Sequence, residues 1–96
     1  MKVEILDEAE RDLTDGFRFY EAQGAGLGDY FLDSLSADID SLRLYAGIHP
    51  LFSGQHRLLS KRFPYAVYYE VIGNVARVNA VLDCRRDPAW IQERLK

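Results

Sequence analysis

The chain has 96 residues, of which 48% are hydrophobic and 28% are charged, and its formal net charge is −3. This length allows a single domain, residues 1–96, and the composition excludes an intrinsically disordered chain. No apolar run approaches the roughly 18 residues that a membrane span needs, and carboxylates stand where a secretory signal would be apolar. We therefore expect a cytoplasmic protein that does not enter a membrane.

The first half of the chain predicts one strand and two helices. Polar and apolar residues alternate over residues 2–6, which is typical of a short strand. Apolar residues then recur every three or four positions over residues 8–22 and residues 29–46, which predicts two amphipathic helices. Asp7 followed by Glu10 resembles a capping box at the start of the first helix. The predicted core-facing residues of the second helix are Phe31, Leu35, Ile39, Leu42 and Tyr45.

The connection between those helices is rich in glycine. Residues 24–28 read Gly-Ala-Gly-Leu-Gly, a composition that can form a phosphate-binding loop. The stretch follows a helix rather than a strand, however, and it has neither the Gly-Lys-Ser/Thr nor the GxGxxG spacing. A tight connection is the better interpretation, so the two helices should pack as an antiparallel hairpin.

After Pro50 the apolar period changes from helical to two, which predicts strands. The three strands cover residues 55–62, 64–72 and 75–82, and a two-residue turn, Gly73-Asn74, joins the last two. On the last strand the small and apolar residues are predicted to share one face: Ala76, Val78, Ala80 and Leu82.

A short helix is predicted at the C-terminus. Asp87 is a typical N-cap and Pro88 a typical first helical residue, and Trp90, Ile91 and Leu95 would dock the helix. The complete order is β-α-α-β-β-β-α. It predicts an α+β fold, in which an antiparallel sheet is covered on one face by the helical hairpin.

Charge is divided unevenly along the chain. Residues 1–50 carry a net charge of −7 and residues 51–96 a net charge of +4. The asymmetry indicates that one face meets an anionic partner, although exposed helices often carry carboxylates without such a role. The carboxylates over residues 7–15 are interpreted as the solvated face of a helix. The candidates for a partner-binding surface are seven residues of the second half: Arg57, Lys61, Arg62, Arg77, Arg85, Arg86 and Trp90.

Aromatic residues are interleaved with these bases. Arginine pairs with phosphate or carboxylate while a neighbouring ring stacks, so Tyr65, Tyr68 and Trp90 on a basic sheet face would suit RNA or an acidic partner. The alternative is that the rings pack in the core and the bases are solvated. Arg85-Arg86, between a strand and a helix, is the most pointed local feature, and one of the two is expected to pair with a neighbouring aspartate.

The other candidates for chemistry are weaker. Cys84 with His49 or His56 could form a nucleophile and a base, but nothing in the sequence indicates that these residues lie close together. A single cysteine is more often a packing residue. One cysteine also excludes an internal disulfide and a cysteine-based zinc site. No cofactor and no metal site is expected.

A succession of short motifs runs along nearly the whole chain and resembles the RelE/ParE toxin superfamily, most closely its ParE-like branch. The early motifs are Ala9-Glu10-Arg11-Asp12-Leu13, Phe19-Tyr20, and Gly26-Leu27-Gly28 leading into Phe31-Leu32. The later ones are Phe63-Pro64-Tyr65-Ala66-Val67-Tyr68-Tyr69-Glu70, Gly73, Val78-Asn79-Ala80-Val81-Leu82, and Arg85-Arg86-Asp87-Pro88 with Trp90.

The resemblance implies the toxin of a type II toxin–antitoxin system, which arrests growth unless a cognate antitoxin, a small DNA-binding protein, neutralises it. RelE-like members cut messenger RNA on the ribosome, whereas ParE-like members are associated with poisoning DNA gyrase. The RelE pattern has arginine where this chain has Ala66, and a second base where it has Leu59. Only Arg57 and Arg85 match the nuclease set, so we predict a toxin that acts by binding.

Asp83 is a further departure, because many ParE-like relatives carry histidine there. A carboxylate at this position partly neutralises the two arginines that follow. Three hypotheses are therefore carried forward: a ParE-like toxin with gyrase as the implied target, a ribosome-dependent endoribonuclease, and a non-toxic family member that acts as a binding module. Charge reversal of Arg77 or Arg86 is expected to weaken antitoxin binding.

Overall fold

A computed structural model describes residues 1–96 and contains five strands and four helices. The structure has no helix with the length and apolar character that a membrane span requires. In chain order the elements are β1 (Lys2–Ile5), α1 (Asp7–Glu21), α2 (Leu27–Asp40), α3 (Leu42–Tyr45), β2 (Leu51–Phe52), β3 (Gln55–Leu59), β4 (Tyr65–Ile72), β5 (Val75–Asp83) and α4 (Pro88–Arg94).

The strands form one sheet in the order β1-β5-β4-β3-β2. Strands β2 to β5 are antiparallel, as predicted, whereas β1 runs parallel to β5 at the edge, with Lys2 opposite Val75 and Ile5 opposite Val78. The Gly73-Asn74 turn is confirmed, and Gly73 has the positive φ of +58° that favours glycine. The α+β class and the predicted order of the main elements are therefore confirmed.

The prediction that one face of β5 carries Ala76, Val78, Ala80 and Leu82 is wrong. Tyr68 of β4 lies opposite Ala80 and Tyr69 lies opposite Val78, so Asn79 is an extra residue, a β-bulge, in β5. A bulge shifts the side-chain alternation by one residue. Ala76 and Val78 consequently face the helical hairpin, whereas Ala80 and Leu82 face the opposite side of the sheet.

The sheet has a buried core on each face, and the bulge lets β5 contribute residues to both. The core beneath α1 and α2, here called the hairpin-side core, includes Phe31, Leu35, Val67, Tyr69 and Val78. The core beneath the C-terminal helix, here called the α4-side core, consists of Ala66, Tyr68, Ala80, Leu82, Ile91 and Leu95. Removing a large apolar side chain from water contributes about 1.5–3 kcal/mol. Ile91 and Leu95 therefore hold α4 on the sheet, as predicted from the sequence.

Two glycines allow α1 and α2 to approach closely. A Cβ atom at Gly16 would lie 2.4 Å from the Phe31 ring, and one at Gly28 would lie 2.6 Å from the Phe17 ring. Glu21, at the end of α1, accepts hydrogen bonds from the backbone amides of Gly26 and Gly28, which lie at the start of α2. The glycine-rich stretch is thus the tight connection that its composition predicted.

Element ends differ from the predictions in three places. Leu6, not Asp7, is the N-cap of α1, and no side chain caps that helix, so the predicted capping box does not form. The predicted helix over residues 29–46 is interrupted at Ser41, and Tyr45 is exposed rather than in the core. Strand β3 ends at Leu59, and a short strand, β2, precedes it. A two-residue strand has no apolar period of its own, so the sequence pattern does not indicate it.

Candidate functional site

The turn between β5 and α4 holds a closed ion pair. The carboxylate of Asp83 accepts hydrogen bonds from the Arg85 guanidinium, at 3.0 and 2.7 Å, and from the Arg85 backbone amide at 2.8 Å. These bonds lower the pKa of Asp83 and raise the pKa of Arg85. The predicted pairing of one arginine with a neighbouring aspartate is confirmed, and Arg85 meets any partner with part of its charge already compensated.

Arg86 differs from Arg85 because no carboxylate pairs with it. Its guanidinium carbon lies 4.0 Å from the centre of the Trp90 ring, a cation–π contact that keeps the charged group exposed and oriented. Asp87 accepts a hydrogen bond from the Ala89 amide and caps α4, with Pro88 first in the helix, as predicted. Arg86 is therefore the free cation of this turn.

A cleft of about 400 Å³ lies beside this turn, between α1 and α4, and is called here the α1–α4 cleft. It is lined by α1 from Asp12 to Phe19, by β5 from Val81 to Asp83, and by Tyr65, Arg86, Trp90 and Arg94. Burial and then the charge of Asp83 raise the pKa of Tyr65 to about 12, so its hydroxyl stays protonated and can donate a hydrogen bond.

One end of the cleft is closed by an ion pair between helices that lie far apart in sequence. The Arg94 guanidinium donates to both carboxylate oxygens of Asp12, at 3.0 and 2.8 Å, and these bonds raise the pKa of Arg94. The same carboxylate accepts a hydrogen bond from the Val81 backbone amide. Asp12 is therefore held in place rather than solvated, and the interpretation of all carboxylates over residues 7–15 as a solvated face is wrong.

Arg57 lies on the α4 side of the sheet, opposite Tyr68 on the neighbouring strand. Its guanidinium carbon lies 4.9 Å from the centre of the Phe52 ring. The Tyr68 side chain is fully buried and its hydroxyl has no hydrogen-bond partner, while burial raises its pKa and nearby Arg57 opposes that effect. Arg57 and Arg85, the two nuclease candidates, thus contact different residues and belong to different clusters.

The remaining candidates lie elsewhere. Arg77 pairs with Glu4 of β1 at 2.8 Å, and Arg62 donates a hydrogen bond to the Tyr30 hydroxyl of α2. Lys61, next to Arg62, is exposed in the connection between β3 and β4. The sequence suggested that these bases converge on one sheet face and its rim. The structure instead distributes them over the α2 side, the β1 edge and the β5–α4 turn.

The histidines and the cysteine do not come together. His49 and His56 both contact the Tyr69 ring in the hairpin-side core, and His49 is hydrogen-bonded to its hydroxyl. Cys84 directly follows β5, where burial raises its pKa and nearby Arg57 opposes that effect. No group of three or more His, Cys, Asp or Glu side chains is placed to hold a metal ion.

The lining residues of the α1–α4 cleft that the sequence did not indicate as site residues include Asp12, Phe19 and Arg94. The cleft depends on contacts between α1 and α4, which are more than 80 positions apart for the Asp12–Arg94 pair. From the sequence, an aromatic residue beside the apolar face of a helix is expected to pack in the core, but half of the Phe19 surface is exposed. A charged pair that is distant in sequence has no periodicity, so a single sequence carries no signal for it.

The sequence matches no protein-family model and no curated protein. Among solved structures, the fold is similar to that of a chain described as "Chromosomal ParDE TA system from P. aeruginosa", with a TM-score of 0.71. The similarity covers 84% of this chain and 92% of that chain, at 16% sequence identity. At this identity the comparison establishes the shared fold.

Proposed function

We propose that this chain is the toxin of a type II toxin–antitoxin system, that it is of the ParE-like kind, and that it acts by binding a cellular target. DNA gyrase is the target that the sequence resemblance implies. A cognate antitoxin neutralises the toxin in this proposal. The observation that carries it is the fold shared, over most of both chains, with a chain of the ParDE system.

The order of the sequence motifs supports the same proposal independently of the fold comparison. Arg85-Arg86-Asp87-Pro88 and Trp90, which carry part of the resemblance, form one structural unit beside the α1–α4 cleft. That unit offers an oriented, unpaired cation in Arg86 and a protonated hydroxyl in Tyr65. These groups recognise carboxylates or phosphates by pairing and hydrogen bonding, which suits a protein that binds its target.

The test is expression of the chain in bacteria, alone and together with the product of the adjacent reading frame. We expect growth arrest when the chain is expressed alone and normal growth when the two are expressed together. Purified chain should also inhibit supercoiling by purified gyrase. Harmless expression of a folded chain, checked by its circular dichroism, would count against a toxin.

A ribosome-dependent endoribonuclease is the second candidate, and Arg57 is the observation that favours it. This arginine lies on the sheet beside Phe52, where a phosphate and a base could both be contacted. Primer extension on translated messages after induction distinguishes the two candidates. Cleavage within coding regions, lost in Arg57→Ala, would favour the nuclease, whereas uncut messages during growth arrest exclude it.

A non-toxic binding module is the third candidate, favoured by the Asp83–Arg85 pair. An arginine that is already compensated binds a second anion less strongly. Asp83→His restores the residue that many ParE-like sequences have at this position. Growth arrest by the unchanged chain excludes this candidate, and arrest by Asp83→His alone supports it.

A further inference from the structure

Strand β5 is longer than its neighbour β1, and this difference leaves part of its edge unpaired. Strand β1 pairs with Val75–Val78, while β5 continues to Asp83. The chain leaves the sheet at Leu6, whose amide donates to the Val78 carbonyl, and enters α1. Beyond Val78, the side of β5 that faces away from β4 has no neighbouring strand.

The backbone groups on that unpaired edge can be identified from the ladder on the other side. The Tyr65 carbonyl accepts from Ser60 on the β3 side, and the Cys84 amide donates to the Pro64 carbonyl on the β4 side. Because backbone groups alternate in direction along an antiparallel strand, the amides and carbonyls of Val81 and Asp83 point away from β4.

Two of those four groups are occupied. The Val81 amide donates to the Asp12 carboxylate, and the Asp83 carbonyl accepts from the Arg86 amide. The Val81 carbonyl and the Asp83 amide have no protein partner. Buried backbone groups in native proteins are nearly always paired, so an unpaired carbonyl and amide two residues apart on a strand edge form a ready site for another strand.

The α1–α4 cleft gives access to this edge, since Val81, Leu82 and Asp83 line it together with residues of α1 and α4. We propose that an extended segment of the cognate antitoxin enters the cleft and adds to β5 as a short parallel strand. One of its residues lies opposite Leu82, donates its amide to the Val81 carbonyl and accepts from the Asp83 amide. This inference rests on the proposed function, which supplies the partner.

The occupied groups determine the direction of the added strand. An antiparallel neighbour needs both the amide and the carbonyl of one residue, and Val81 and Asp83 each have one of the two occupied. A parallel neighbour needs the carbonyl of one residue and the amide of the second residue after it, which are the free pair. The added strand therefore follows the direction of β1 and continues its line along β5.

The charge of the cleft determines which segment fits. Asp12 is compensated by Arg94 and Asp83 by Arg85, while Arg86 has no carboxylate partner. A segment with one Asp or Glu near the residue opposite Leu82 would supply that partner. Asp15, on the α1 wall, disfavours a longer run of acids. The segment is therefore extended and carries a single carboxylate at this point.

The experiment uses the full chain, labelled with 15N, and the purified product of the adjacent reading frame as its probe. Hydrogen exchange of the Asp83 amide is measured by NMR with and without the probe. We expect complex formation to slow that exchange about tenfold or more, because the amide gains a hydrogen bond. The exposed amide of Gly54, in the turn between β2 and β3, serves as a control and should keep its rate.

Arg86→Glu tests the charge requirement, and Arg43→Glu is the matched control. Arg43 is exposed on α3, where its ion pair is with exposed Asp40. Arg86→Glu should weaken the complex about tenfold or more, measured by titration calorimetry, whereas Arg43→Glu should leave the affinity within about twofold.

The outcomes separate this inference from the proposed function. A complex that forms without slowing exchange at Asp83 overturns the strand addition and leaves the antitoxin partnership intact. Failure to form any complex overturns both. In the absence of the probe, exchange at Asp83 could also slow as the concentration of this chain rises. That result would assign the edge to a second copy of the chain and would overturn the inference.

Discussion

At the scale of single residues, Asp12 connects three elements that are distant in sequence. Its carboxylate lies on α1, binds the Arg94 guanidinium of α4 and accepts the Val81 amide of β5. The Asp12 side chain is 11% exposed and that of Arg94 is 26% exposed, so water can replace few of the hydrogen bonds between the two side chains. Asp12 therefore stabilises the position of α4, which carries Trp90.

Replacing Asp12 by alanine should lower the free energy of unfolding by about 2–3 kcal/mol. The change leaves the half-buried Arg94 charge with only the exposed Glu8 carboxylate, 3.8 Å away, and it leaves the Val81 amide without an acceptor. Chemical denaturation measures the effect. Glu8→Ala is the control, because Glu8 is exposed and lies 3.8 Å from Arg94, so its loss should cost less than about 1 kcal/mol. Equal losses in the two variants would contradict this role.

His49 should make the stability of the protein depend on pH. Its Nδ1 is hydrogen-bonded to the Tyr69 hydroxyl, which also accepts the Gly47 amide, and burial followed by the proximity of His56 lowers the pKa of His49. The unfolded chain therefore takes up a proton at higher pH than the folded chain. Stability is complete above about pH 6.5, the ordinary pKa of histidine, and falls as the pH decreases through the folded value.

The measurement is denaturation at pH 7.5, 6.5 and 5.5 for the unchanged chain and for His49→Asn. The variant should be less stable at pH 7.5 and should lose less stability on acidification. An identical pH dependence in both proteins would exclude His49 as the cause.

Among the elements, the helical hairpin was predicted from the apolar period of its helices, but the close packing between those helices was not. The apolar period of α1 predicted the helix, and Gly16 read only as a residue that weakens it. In the structure Gly16 is buried against the Phe31 ring. The missing side chain is therefore a packing requirement, which becomes visible only when the second helix is in place.

Gly16→Ala should destabilise the protein by about 1–3 kcal/mol, although alanine is the better helix former by about 1 kcal/mol. The new methyl group would overlap the Phe31 ring, which is fully buried and cannot move away. Thermal unfolding measures the change. Gly16→Ala should cost less stability in a chain that already carries Phe31→Leu than in the unchanged chain, since the smaller leucine side chain leaves room for the methyl group. Additive losses would refute the contact.

At the scale of the whole molecule, the division of charge along the sequence does not become one basic face. Arg62 contacts α2, Arg77 pairs with β1, and Arg86 stacks on Trp90 of α4. At long range the −7 of residues 1–50 outweighs the +4 of residues 51–96, because the whole chain carries a net charge of −3. Short-range recognition depends instead on which cations lack a partner within the chain.

Charge reversal of Arg77 and of Arg86 should therefore differ in effect on antitoxin binding. Arg77 already has Glu4 as a partner, and we expect Arg77→Glu to weaken the complex by less than about fivefold. Arg86→Glu should weaken it more than Arg77→Glu does. Titration calorimetry at two salt concentrations tests the order, and a larger effect at Arg77 would move the interface to the β1 edge.

Local periodicity and turn residues were enough to predict the class of fold, the helical hairpin, the Gly73-Asn74 turn and the capped C-terminal helix. The sequence also indicated Arg85-Arg86 and the pairing of one of them with a neighbouring aspartate, which the structure identifies as Asp83. The bulge at Asn79, the two cores of the sheet and the contact between Asp12 and Arg94 became visible only in the folded chain. These features depend on register and on contacts between distant residues, which leave no period in the sequence. The sequence showed that the second half of the chain is basic. The fold determines which of its arginines lack a carboxylate partner and are free to bind.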